Sequence, residues 1–239
     1  MRTRTIAAIG LCLSLATCAS SQKKIEQARG KDPQYQYNLG LFHLNNNTLE
    51  EALRYLNRSL ALDPRNHLVL NALGLLHSMK GNLEEAVNMY QKCLVIAPHF
   101  SEGRNNLGTV YQELGYIDKA EEEFTKVTRD PNYANKELPY FNLARLNYLR
   151  QDWDKARSLA EMAVKLNSRF ALAHNLIGLI LENQNKIPEA IERYKQAIKI
   201  VPDDLNFNYN LGVAYFKNNE LTRAGEIFEK IQPLVTDSE

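Results

Sequence analysis

The sequence predicts an all-α fold, a right-handed α-solenoid of six stacked helix pairs, on three observations. A small residue returns at a fixed interval: Gly40, Gly74, Gly108, Ala144, Gly178 and Gly212, in steps of 34, 34, 36, 34 and 34. An alanine follows each of them at the same offset: Ala52, Ala86, Ala120, Ala156, Ala190 and Ala224. The neighbouring residues repeat as well, as in Asn38-Leu39-Gly40, Asn106-Leu107-Gly108, Asn142-Leu143-Ala144 and Asn210-Leu211-Gly212. A period of this length marks a repeat architecture, in which each unit buries its apolar face only by stacking on the next.

The spacing has a physical reason. A small residue on the first helix of a pair and an alanine on the second let the two axes approach, where larger side chains would wedge them apart. A further small or medium residue, Ser59, Cys93, Val127, Ala163, Ala197 or Ile231, lies where the second helix should meet the next unit. Pro64, Pro98 and Pro202 then end second helices, because proline lacks a donor and clashes with the preceding turn. The pattern resembles the tetratricopeptide repeat, with copies at 33–66, 67–100, 101–136, 137–170, 171–204 and 205–238.

Residues 1–18 read as a secretory leader. Arg2 and Arg4 supply the positive start, and Ile6 to Ala16 is an apolar stretch too short to span a bilayer as a helix. Leu15-Ala16-Thr17-Cys18 resembles the bacterial lipobox, in which the cysteine is lipidated and becomes the first residue of the mature chain. Thr17 stands where glycine, alanine or serine is usual, and a plain leader cut after Ala19 is the alternative. By resemblance to the enteric sorting rule, Ala19 favours the outer membrane. Residues 19–32, beginning Ala19-Ser20-Ser21-Gln22-Lys23-Lys24, form a polar tether to the repeats.

Each repeat carries its own punctuation. Asp32-Pro33 opens the first, and Asn45-Asn46-Asn47-Thr48 makes the turn between its helices. Glu50 and Glu51 follow at the start of the second helix, where acidic groups complement the helix dipole. Lys80-Gly81-Asn82 turns the second repeat. The third has two extra residues in its tail, Arg129 to Ala134, expected to alter the angle between the two halves of the solenoid. The fourth turns at Gln151-Asp152 and has Ala160 where other copies carry Tyr or Phe. Pro188 begins the second helix of the fifth, where proline is tolerated. Trp153 aligns with Leu49, Leu83, Ile117, Ile187 and Leu221 and is read as core. One position of the second helices reads Leu60, Leu94, Thr128, Val164 and Ile198, and in the sixth repeat it becomes Gln232, polar as a terminal repeat requires.

Composition narrows the function. The chain has 29 Lys+Arg against 28 Asp+Glu, and loss of Arg2 and Arg4 with the leader leaves 27 against 28. No basic field remains to attract nucleic acid. Of three cysteines, Cys12 lies in the leader, Cys93 occupies a packing slot and Cys18 alone has a chemical role to argue for. His43 and His77 align at a mostly aromatic or apolar position, and a metal would need further ligands. No Gly-rich phosphate loop, zinc spacing or nucleophile elbow occurs. The sequence therefore predicts a non-enzyme with no cofactor, no metal and no small-molecule substrate.

The expected working surface is a groove lined by first helices. Two adjacent positions of each should face it: Tyr37-Asn38, Asn71-Ala72, Asn105-Asn106, Phe141-Asn142, Asn175-Leu176 and Tyr209-Asn210. Every repeat contributes an asparagine, whose amide both donates and accepts, so a ladder of them suits a bound extended backbone. The alternative is that some asparagines bond within the repeats. One turn on come Leu41, Leu75, Thr109, Arg145, Leu179 and Val213, mainly apolar.

A lipobox, a short tether and six such repeats together resemble the type IV pilus pilotin family of the PilF/PilW/Tgl type. The resemblance implies an outer-membrane, lipid-anchored protein on the periplasmic side. Its partner would be a secretin subunit of the PilQ type, which it helps to localise and assemble. It also makes the first repeats the preferred contact, with Tyr37, Asn38, Leu41, Asn71 and Leu75 foremost. Two alternatives stand beside it: a lipoprotein scaffold for peptidoglycan hydrolases or synthases of the NlpI type, and an assembly factor for outer-membrane barrels.

Overall fold

The structure is a computed structural model that describes residues 28–236. Cys18 and the leader lie outside the described residues, as does the tether up to residue 27. After a short helical stretch at residues 28–30, twelve helices follow one another among the described residues. They are α1 Pro33–Asn45, α2 Leu49–Leu62, α3 His67–Met79, α4 Leu83–Ile96, α5 Ser101–Glu113, α6 Ile117–Thr128, α7 Glu137–Leu149, α8 Trp153–Leu166, α9 Ala171–Asn183, α10 Ile187–Ile200, α11 Leu205–Lys217 and α12 Leu221–Thr236. The fold is all-α, of the tetratricopeptide α-solenoid class. It divides into two compact units at Gly103/Arg104, within α5.

In the first unit α1 packs on α2 and α3 on α4, with α2 also touching α3. In the second, α7 pairs with α8, α9 with α10 and α11 with α12, and α6, α8 and α10 each pack on the helix that follows. Helix starts are fixed chemically. Asp32, Asn66, Asp152 and Asp204 each turn a side-chain oxygen onto backbone N–H groups of the first turn, and Pro33 and Pro188 occupy positions where no donor is needed. Each turn inside a pair passes through one left-handed residue: Asn47, Gly81, Gly115, Gln151, Asn185 and Asn219, with φ between 56° and 79°. Glycine and asparagine tolerate that conformation; Gln151, at φ 62°, is held there against its preference.

The close approach inside each pair works differently from a simple meeting of small residues. The space left by each first-helix glycine is filled by a large side chain one turn beyond the alanine of the second helix. A methyl group on Gly74 would sit 2.6 Å from Tyr90 Cε1, one on Gly108 2.7 Å from Phe124 Cε1, and one on Gly212 2.6 Å from Phe228 Cε1. Gly40 meets Leu56 and Gly178 meets Tyr194 in the same way. The fourth repeat keeps the register but exchanges volumes. Ala144 brings the methyl group, and Ala160 stands where the ring would be; both are fully buried. The alanines following each glycine are buried too, as are Ser59, Cys93, Val127, Ala163, Ala197 and Ile231. Burial, with help from the Glu102 charge, raises the Cys93 thiol to about 11, so it stays protonated and inert at neutral pH.

The two extra residues of the third repeat lie inside the second unit, in the connection from α6 to α7. There Tyr133 is buried and Asp130 accepts the Asn132 N–H at 2.9 Å. Trp153 is half-buried against the second unit's core, edge-on to Tyr148 with ring centres 5.2 Å apart. His43 stacks on Tyr55 within its own repeat, ring centres 5.2 Å apart, and exchanges a 2.9 Å hydrogen bond with Thr48.

Candidate functional site

The first helices present the candidate surface, and the helix register decides what each one shows. Within the first unit, Tyr37 and Leu41 are half-buried against the core and Leu75 is exposed. Burial raises the Tyr37 phenol above its ordinary range, with the Glu102 charge adding to the effect, so it is a neutral donor at any physiological pH. Asn38 is exposed, and its carboxamide oxygen accepts from Gln34 Nε2 at 3.0 Å. Asn71 is buried and points Nδ2 at a Glu102 carboxylate oxygen 3.5 Å away.

In the second unit the asparagines are tied to one another. Asn142 Nδ2 donates to Asn105 Oδ1 at 3.1 Å, joining α7 to α5, and both residues are buried. Asn210 Nδ2 donates to Asn175 Oδ1 at 2.9 Å, joining α11 to α9. The ladder therefore spends part of its hydrogen-bonding capacity on holding successive repeats in register. Asn106 is half-buried. Phe141 is buried edge-on against Phe170, while Tyr209 stays exposed with its ring 6.2 Å from that of Phe228.

One concavity on this face brings several of these positions together. It encloses about 290 Å³ between α7 and α9, with Gln112 of α5 at its edge. Phe141, Leu176 and Leu179 form its wall, Asn175 supplies an amide, and Leu149 and Leu172 stand exposed beside it. Arg145 lines the same space and reaches over the Phe141 ring, 5.9 Å from its centre. The sequence pattern placed Phe141 and Asn175 on this surface. Leu149 and Leu172 lie outside its two chosen positions, and the signal that finds them is an apolar residue exposed on the first-helix face. The first unit has a larger hollow of about 550 Å³, bounded by Leu60, Leu70, Met89, Val95 and Ile96, and no predicted groove residue lines it.

Ion pairs join helices within the second unit. Tyr194 donates to Glu182 at 2.7 Å and Lys217 approaches the other carboxylate oxygen at 2.5 Å, so one half-buried carboxylate ties α10 and α11 to α9. Arg104 bonds Glu123 at 2.7 Å, and Arg150 bonds both Asp118 and Glu121. Among the described residues no group of three or more His, Cys, Asp or Glu side chains could hold a metal ion. Nor is any described helix long and apolar enough to cross a membrane.

Comparison with known proteins agrees with this geometry. Tetratricopeptide-repeat family models match residues 17–67, 55–88, 101–129 and 183–219, so the chain carries these repeats along much of its length. Among curated relatives, the peroxisomal targeting signal receptor of Saccharomyces cerevisiae is 35% identical over 72 residues, 30% of this chain and 12% of that protein. Protein O-mannosyl-transferase Tmtc3 of Drosophila melanogaster is 36% identical over 75 residues, 31% of this chain and 8% of that protein. The chain thus spans only a small part of these relatives' length. Among solved structures, PilF of Pseudomonas aeruginosa superposes with a TM-score of 0.77 at 17% identity, covering 87% of this chain and 93% of that one. PilW, a widely conserved type IV pilus biogenesis factor, gives 0.78 at 15% identity, covering 84% and 92%.

Proposed function

We propose that this tetratricopeptide protein serves type IV pilus biogenesis as an outer-membrane lipoprotein that binds secretin subunits and promotes their assembly. The observation that carries the reading is the superposition on PilF and PilW, which takes in nearly the whole of both chains and so matches an architecture as well as a motif. The surface is compatible with it. A row of first helices bearing amides, exposed leucines and aromatic rings offers backbone partners and apolar contact to a polypeptide, and it lacks the charge density that a nucleic acid would demand. Cys18 provides the membrane anchor in this reading, since several acyl chains hold a protein stably where one does not.

The test is made in cells carrying a deletion of this chain, by following the heat-resistant secretin multimer on denaturing gels. Loss of the multimer with accumulation of monomer is expected, and restoration by the intact chain. Undiminished multimers in the deletion strain would refute the assignment. A Cys18→Ser variant should leave the outer-membrane fraction or fail to be processed.

A further inference from the structure

We infer that the concavity between α7 and α9 is a specific anchor site for a partner polypeptide segment in which a bulky apolar side chain sits next to an aspartate or glutamate. The inference rests on the proposed partner-binding role of this face and names the chemistry of what it takes. Three features carry it. The space, about 290 Å³, is at the low end for ligand pockets, so it suits one large side chain better than a cofactor. Its surroundings are apolar, and Leu149 and Leu172 are 60% and 48% exposed at its edge. Two large side chains left so open on adjacent helices form a patch that association would cover.

The third feature is charge. At the equivalent positions of the other first helices stand Leu41, Leu75, Thr109, Leu179 and Val213; only the fourth repeat puts a cation there, Arg145. Its recorded contact is with the Phe141 ring, and among the described residues no carboxylate lies within salt-bridge distance of it. Arg104, Arg150 and Arg157 of the same unit are instead each paired with a carboxylate of this chain. A guanidinium that approaches a ring at this distance keeps N–H groups for an acceptor. An incoming acidic side chain beside the apolar anchor completes both halves of the site at once.

The test uses the leaderless chain and fluorescein-labelled synthetic peptides of Gly/Ser background that carry a single Phe flanked by Asp on both sides. Control peptides replace the Asp residues by Lys, or the Phe by Ser. Anisotropy titration should show saturable binding of the Phe/Asp peptide and weaker binding of both controls. Arg145→Glu should weaken binding about tenfold or more, because like charges then face each other, and added salt should weaken the wild-type complex. Arg145→Lys should retain most of the affinity, and Leu172→Ser should lose about tenfold through lost apolar contact. Arg145 and Leu172 are both exposed, so the variants should fold, which a helical circular dichroism melt verifies. Binding that ignores the Arg145→Glu change, equal binding of the Lys control, or no binding to the wild-type chain would overturn the site. Those failures leave the secretin reading standing, because the multimer assay in the deletion strain judges it without reference to Arg145.

Discussion

Gly178 has a methyl-sized gap that Tyr194 fills with its ring, and this exchange of volume sets the spacing inside a repeat. Gly178→Ala should therefore drive a methyl group into a fully buried ring and cost about 1–3 kcal/mol, read from chemical denaturation. The fourth repeat supplies the converse. Ala160→Tyr alone should be destabilising because Ala144 occupies the space, whereas Ala144→Gly with Ala160→Tyr should recover much of the loss. A double-mutant cycle measures that coupling, and strictly additive effects would show that the two positions do not share a volume. Sequence reading found both series of small residues but missed the ring as their partner. The reason is that the ring positions carry Leu56, Tyr90, Phe124, Ala160, Tyr194 and Phe228, a mixture whose common role emerges only when the glycine opposite is seen. The asparagines teach a related lesson: periodicity placed them on one face, but only coordinates reveal that Asn142 and Asn105 bond each other.

At the scale of elements, helix starts and turns were readable because their chemistry is local. Asp32-Pro33, Lys80-Gly81-Asn82 and Gln151-Asp152 each sit at a helix start or a turn between helices, and all six turns share one left-handed residue. Gln151 is the ill-suited member of that set. Gln151→Gly should stabilise the chain by roughly 0.5–1 kcal/mol, the relief of the left-handed conformation less the extra freedom of the unfolded glycine. An unchanged or lowered denaturation midpoint would contradict that account. Contacts between elements were less legible, since they join residues far apart in the chain, 29 and 32 positions in the case of Arg150. Arg150 on the α7–α8 turn reaches back to Asp118 and Glu121 of α6. Its hydrogen bond, with Lys155 assisting, holds the Glu121 carboxyl below the ordinary 4.5. A depressed carboxyl stabilises the fold fully above its unfolded value and loses that contribution as pH falls through its folded one. The stability advantage of the wild type over Glu121→Gln should thus be constant near neutrality and shrink below about pH 4.5. A difference independent of pH would mean that the ion pair does not stabilise the fold.

For the whole molecule, the repeat fold was legible because a solenoid states its rule several times over, and tetratricopeptide models match four stretches of the chain. The binding surface was legible only in outline. The family resemblance ranked the first repeats foremost, with Tyr37, Asn38, Leu41, Asn71 and Leu75, and the structure adds a concavity at Phe141, Arg145 and Leu179 on first helices of the second unit. Exposure and enclosure depend on side-chain placement across neighbouring repeats, which a one-dimensional pattern does not carry. The account's central claim is that these first helices capture a secretin subunit. Isothermal titration of the purified leaderless chain with the periplasmic portion of the secretin encoded in the same genome tests it most directly. The account predicts a saturable complex of defined stoichiometry that weakens when Leu75 and Leu172 are both changed to Ser in a chain whose helical melt is preserved. Heat of dilution alone, or a complex indifferent to both changes, would contradict it.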